Sequence, residues 1–313
     1  MNTRGFSTNS AHSQPSSRST ALVVLPRHRI PVIFKSPALL ALGVYLTGGS
    51  TTARPVLTAM VLLSLLWAVL YSLNEWSDVR SEQNIRVPEW ELAALLLICT
   101  LLCKAAGEIS WKLGTLFLLM TICQCCYSLY PFRFKRFWQY GFVLSGIINP
   151  LLRLWCGVIF GWHALPALVL ITFILLHTGA VLRARCLLRQ RDQQLGYLYI
   201  PDRAEAAGIA FTILGLAGAF AICFTGLVPA VFILMPAGAS FFSWHAWSHP
   251  HPSLAQLRRS WMLFAWMALA GITALLLQKH HGLSAQSSSG TNKPSLRISS
   301  PSNHISPPPY SGR

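Results

Sequence analysis

Long apolar runs separated by short polar connections occupy most of the chain. A helix crosses a bilayer with about 20 mostly apolar residues, and stretches of that kind fall at 31–49, 55–73, 90–106, 113–130, 139–162, 165–182, 207–227, 228–242 and 261–277. The pattern predicts nine transmembrane helices and hence an all-α, polytopic membrane protein. Lys35 and Pro37 interrupt the first span, and Pro236 falls in the short eighth. Residues 1–30 and 279–313 are rich in Ser, Thr, Asn, Pro and Gly, the composition of disordered tails. The domain to be explained is therefore 31–278. The first tail carries Arg and Ser but no acid, a composition shared by organellar transit peptides and plain cytoplasmic tails.

Composition agrees with burial in lipid. Only 11% of the 313 residues are charged against 53% hydrophobic, with a mean hydropathy of +0.48, whereas a soluble domain carries roughly 25% charged residues. The net charge of +16 comes from 25 Lys and Arg against 9 Asp and Glu. Nucleic-acid binders reach such a charge by adding cations to a polar surface. Here acids are missing from an apolar chain, which points to membrane lipids as surroundings and to no nucleic acid. Eleven Trp suit interfacial belts. The eight Cys lack the paired C-x-x-C spacing of a zinc site and read as small buried thiols. With a cytoplasmic N-terminus, seventeen cations fall on inside segments and seven outside, Arg153 lying within a span, in keeping with the positive-inside rule.

The few acids are not scattered. Glu75, Asp78, Glu82, Glu89 and Glu91 follow the second span, Asp192, Asp202 and Glu205 follow the sixth, and Glu108 alone falls outside. If the second helix continues at about 100° per residue, Asn74, Glu75, Asp78 and Glu82 share one oxygen-rich face at the membrane boundary. Such a face suits Mg²⁺, a hard cation that takes carboxylate and carbonyl oxygens and is often completed by substrate phosphates. The plain alternative is a solvated helix end whose acids balance Arg80 and Arg86. After the fourth span, Arg133, Lys135 and Arg136 are interleaved with aromatics, a grouping suited to a diphosphate through forked Arg hydrogen bonds and a mobile Lys charge. A third polar connection, from Arg183 to Glu205, embeds Asp192 between Arg191 and Gly196.

Together these segments resemble the UbiA superfamily of intramembrane prenyltransferases. The family motif N-D-x-x-D-x-x-x-D is matched by Asn74, Glu75, Asp78 and Glu82, with Glu for Asp at two places. The Y-S-x-x-P-x-R-x-K-R segment is matched by Tyr127, Ser128, Pro131, Arg133, Lys135 and Arg136. The second acidic motif, D-x-x-x-D followed by x-x-x-G, keeps Asp192 and Gly196 but has Leu188 where the first acid would stand.

The resemblance implies a nine-helix bundle around a lipid-open central cavity, in which an isoprenyl diphosphate is ionised and its allylic cation captured by a lipophilic acceptor. It implies Mg²⁺ held by Asn74, Glu75, Asp78, Glu82 and Asp192, charge stabilisation by Lys135, Arg136 and Asp192, and substrate contacts from Tyr127, Arg133 and Arg191. Asn149 and Arg153, four apart within the fifth span, are added as cavity-facing candidates because polar groups inside lipid are costly and often functional, and His177 is a lesser one. The implied setting is a bacterial inner membrane, or an organellar one, with the motifs facing the cytoplasm. Sugar-phosphate transfer to a polyprenyl phosphate, and a non-catalytic lipid-binding or scaffold protein motivated by Leu188, are the competing expectations. A transporter would be expected to show broken helices in paired positions, which Pro150 and Pro236 do not supply.

Overall fold

The computed structural model describes residues 30–82, 87–198, 200–228, 233 and 236–241. Its elements are helices α1 (Ile30–Leu46), α2 (Arg54–Glu82), α3 (Glu89–Ile109), α4 (Trp111–Ser128), a 3₁₀ turn (Phe134–Arg136), α5 (Trp138–Phe142), a π segment (Val143–Ile148), α6 (Asn149–Val158), α7 (Ala167–Leu187), the short α8 (Arg189–Gln194) and α9 (Arg203–Phe224). There is no strand among the described residues. The first seven predicted spans correspond to these helices, with α5, the π segment and α6 forming one continuous rod. The eighth is described at 228, 233 and 236–241, and the ninth and both tails lie outside the described residues. Five helices are long and apolar enough to cross a membrane: α2, α3, the α5–α6 rod, α7 and α9. The chain is an integral membrane protein.

Lys35 and Pro37 do not break the first span, because α1 runs through both. Proline removes one backbone donor, a loss that membrane helices absorb through neighbouring groups. The helix stops at Gly48, whose φ of 78° permits the left-handed turn that returns the Gly49 amide to the Val44 carbonyl at 2.8 Å. Glycine also sets the distance between α1 and α6. A Cβ on Gly157 would overlap the Leu40 carbonyl and one on Gly43 the Leu154 carbonyl, so the two backbones touch there. Leu40, Val44, Leu63, Leu66, Trp67, Phe117 and Met120 fill the core that α1, α2, α4 and α6 share. Helix α7 packs along α9 through Gly179, Gly208 and Gly215 and reaches the rod through Gly146 of the π segment.

Helix α2 carries the chain out of the bilayer. Its 29 residues span about 44 Å at 1.5 Å each, well over the roughly 30 Å of a hydrocarbon core, so its last turns stand at or beyond the membrane boundary. Alternating helix directions bring three connections to that same end: α2 to α3, α4 to α5 by way of the 3₁₀ turn, and α7 to α9 by way of α8.

Candidate functional site

The site is built on the C-terminal turns of α2. Asn74 and Asp78 are one turn apart on one face, and the Asn74 amide donates to Asp78 Oδ2 at 3.1 Å. The Asn74 Oδ1 accepts from the Ser128 hydroxyl at 2.9 Å, and Ser128 Oγ in turn accepts from Gln124 at 3.1 Å. Ser77, on the same face, donates to the Ser128 carbonyl at 2.5 Å. Five polar groups thus lock the end of α2 to the end of α4 in a buried network with every step satisfied, which rigidifies it. Asn74 therefore orients Asp78. Glu75 is half-buried, and α2 ends at Glu82, whose side chain lies outside the described residues. The arginine on this turn is balanced elsewhere, since Arg80 pairs with Glu89 at 3.2 Å on the surface.

The 3₁₀ turn carries the cations inward. Arg133 adopts a left-handed conformation with φ 39°, a strained backbone for a non-glycine residue. It is held there by hydrogen bonds from its guanidinium to Ser81 of α2 and, at 3.2 Å, to the Tyr197 hydroxyl. Two residues on, Lys135 is 5% exposed and forms an ion pair with Asp78. Arg136 is exposed, with its guanidinium 5.8 Å from the centroid of the Tyr197 ring.

The third connection closes over this turn. Leu198 donates its amide to the Arg136 carbonyl at 2.8 Å and forms a parallel bridge with Phe137. Gly196, with φ 68°, makes the turn that presents Tyr197, whose amide bonds the Asp192 carbonyl at 2.8 Å. Asp192 is buried and its carboxylate accepts from Arg185 at 3.3 Å, while the other arm of Arg185 donates to the Tyr127 hydroxyl at 3.0 Å. Arg191 lies on α8 with its side chain outside the described residues. Asn74, Asp78, Tyr127, Arg133, Lys135, Arg136 and Asp192 therefore meet in one network at one end of the bundle.

Asn149 and Arg153 are buried deeper, on α6. Arg153 lays its guanidinium over the Trp67 ring at 3.3 Å from the centroid, a desolvated cation–π contact worth about 2 kcal/mol. They stand apart from the network around Asp78. The sequence reading gave no role to Ser77, Ser81, Gln124, Arg185 or Tyr197. Ser77 and Ser81 could have been found by their three- and seven-residue offsets from Asn74, which share its helix face. Tyr197 had no such signal, because only the turn at Gly196 and the bridge to Phe137 bring it in.

The donor set bears on the expected Mg²⁺. Among the described residues no group of three or more His, Cys, Asp or Glu side chains could hold a metal unaided. Asp78 and Asp192 supply hard oxygens beside cations that compensate their charge. That arrangement fits Mg²⁺, which is commonly held by one or two carboxylates together with substrate phosphates.

The fold is that of UbiA homologues. A solved UbiA homolog from Archaeoglobus fulgidus matches with a TM-score of 0.60 at 15% identity, over 82% of this chain and 100% of its own. The same homolog bound to DMAPP and Mg²⁺ matches with 0.59 at 15% identity, over 82% and 99%. Bound to GPP and Mg²⁺ it matches with 0.58 at 14% identity, over 79% and 98%. No family model and no curated protein matches the chain.

Proposed function

We propose that the chain is a UbiA-type prenyltransferase that takes an isoprenyl diphosphate together with Mg²⁺ at the cytoplasmic end of its bundle and transfers the prenyl group to a lipophilic acceptor. The observation that carries this reading is the juxtaposition of Asp78 with Lys135, and of Asp192 with Arg185, on two connections bridged by Arg133, Tyr197 and the Leu198–Arg136 contact. It stands in a fold whose solved examples hold DMAPP or GPP with Mg²⁺.

Bound with the diphosphate, Mg²⁺ would neutralise charge that develops on the leaving group. The chain's own residues do the rest. Asp78 and Asp192 offer the oxygens, with Asn74 fixing the first and Arg185 the second. Lys135 exchanges its partner as a diphosphate arrives, moving from a carboxylate to phosphate oxygens with little change in position, so the donor is already aimed where charge appears. Arg133 and the exposed Arg136 supply forked and long-range positive charge. The apolar helices below exclude water from an allylic cation. Glu75 and Tyr127 stand beside this network in this reading, Glu82 and Arg191 are assigned to it by the sequence resemblance alone, and the excess of inside cations supports an orientation with the site facing the cytoplasm.

The test is release of diphosphate from GPP and longer isoprenyl diphosphates by the purified protein in lipid nanodiscs. Release with Mg²⁺ that stops on adding EDTA is expected. Binding of the same compounds unchanged by EDTA, with no release, would favour a scaffold and make Leu188 the decisive departure.

A further inference from the structure

The 3₁₀ turn that carries Lys135 inward has a second face that the diphosphate site does not use. Burial divides the segment: Arg133 and Lys135 are buried, whereas Phe132, Arg136 and Phe137 are exposed. The outward rings form one surface. Phe132 meets Phe134 with ring centroids 5.6 Å apart, Phe134 meets Tyr140 at 5.2 Å, and Tyr140 meets Phe137 at 6.0 Å. Phe137 bridges to Leu198, so the third connection extends the same surface. Phe132 is 54% exposed, Tyr140 56%, Leu198 50% and Phe137 43%. Exposed apolar side chains that adjoin one another in this way mark an interaction surface, where isolated ones would not.

Helix lengths give the level at which this surface stands. The α5–α6 rod starts at Trp138 and has 21 residues, or about 31 Å at 1.5 Å each, against a hydrocarbon core of roughly 30 Å. It has no length to spare, so Phe137 and the turn just before it fall in the headgroup layer. Helix α4, with 18 residues or about 27 Å, ends as close to the boundary. By contrast α2 overshoots at this same end. The occupant of the aromatic surface is therefore lipid, since rings at this level bury their faces among glycerol groups and the first acyl carbons.

Charge selects the kind of lipid. No acid occurs between Glu108 and Asp192, and among the described residues no carboxylate pairs with Arg136. Its exposed guanidinium offers a fork that suits a phosphodiester, and a headgroup without an ammonium of its own leaves that cation balanced. We propose that Phe132, Phe137, Tyr140 and Leu198, together with Arg136, form a docking surface that retains an anionic phospholipid of the surrounding leaflet. A lipid held there anchors the turn from outside, as Asp78 and Ser81 anchor it from inside. The inference does not depend on the prenyl-transfer reading.

The test is photolabelling of the full chain in phosphatidylcholine nanodiscs. The discs are doped with phosphatidylglycerol or phosphatidylcholine carrying the same diazirine at the glycerol end of one acyl chain, and the labelled peptides are mapped by mass spectrometry. The segment 129–140 should be labelled about fivefold more by the phosphatidylglycerol probe, the gain of a single cation at an anionic surface. Arg136→Gln should bring that ratio near unity and Arg136→Lys should keep most of it. Phe132→Ser combined with Tyr140→Ser should lower labelling by both probes. All of these side chains are exposed, so an unchanged thermal midpoint should accompany each variant. Equal labelling of wild-type protein by the two probes would overturn the proposal, as would an excess that survives Arg136→Gln. So would a segment that neither probe labels, which would place the aromatic surface in water and leave it to a protein partner.

Discussion

Two polar regions of this bundle handle charge in opposite ways. At the membrane boundary Lys135 faces Asp78 and Arg185 faces Asp192, and the groups behind them are joined through Asn74, Ser128, Tyr127 and Tyr197. In the interior, Arg153 has an aromatic ring for a partner and Asn149 and His177 keep orphaned atoms. A site that must hold its shape while empty compensates its own charges, since a carboxylate or ammonium left alone in a dry site is expensive. In the interior the Arg153 guanidinium is offset by a ring face and a neighbouring hydroxyl in place of a carboxylate.

The contrast is sharpest in stability. Removing Asp78 as Asp78→Ala breaks the ion pair with the buried Lys135 ammonium and should cost about 3 kcal/mol, read as a fall in thermal midpoint in detergent. Lys35→Met, which deletes a charge with no carboxylate partner, should instead raise stability by about 1 kcal/mol. Equal losses from both would erase the distinction between the two regions. A double cycle on Asp78→Asn and Lys135→Met sharpens it further. Each single change should lower GPP affinity by on the order of 100-fold, as for a charge-assisted contact of about 3 kcal/mol, and the pair by far less than the product. Arg185→Gln should weaken GPP binding about tenfold, by releasing Asp192 and Tyr127 together. Tyr197→Phe removes one charge-assisted hydrogen bond from Arg133, a net contribution of about 1.5 kcal/mol at its 3.2 Å length, and a loss of roughly tenfold or less should show in the same titration.

The helices and their order were readable because lipid imposes a length and a composition on every span. The continuation of α2 past Leu73 to Glu82 was readable too, from oxygen-bearing side chains recurring at one-turn spacing. What escaped reading depends on backbone detail that hydropathy does not register. The π segment places one extra residue in a turn, and Pro150 follows it where a missing donor matters least. That insertion changes which face of α6 carries Asn149 and Arg153, so periodicity alone could nominate them but not aim them. Lys35 looked like an interruption because a charge lowers the local apolar score. In the folded chain α1 continues through it, and it joins Arg153. Asp192 was legible from its Gly196 spacing, whereas Arg185, which holds it, is one of several arginines in a basic run seven residues earlier, and nothing in the spacing singles it out as the partner.

The role proposed for Asp78, to anchor a metal-dependent diphosphate site that Lys135 keeps poised, is tested most directly by equilibrium binding of GPP. Wild-type protein and Asp78→Asn are compared, each with Mg²⁺ and then with EDTA. The Asn substitution retains an oxygen to accept the Lys135 hydrogen bond, so the fold should persist. Wild-type protein should bind GPP with Mg²⁺ and release it with EDTA, and Asp78→Asn should bind poorly in both. Equal binding by the two proteins, or wild-type binding indifferent to EDTA, would contradict that role.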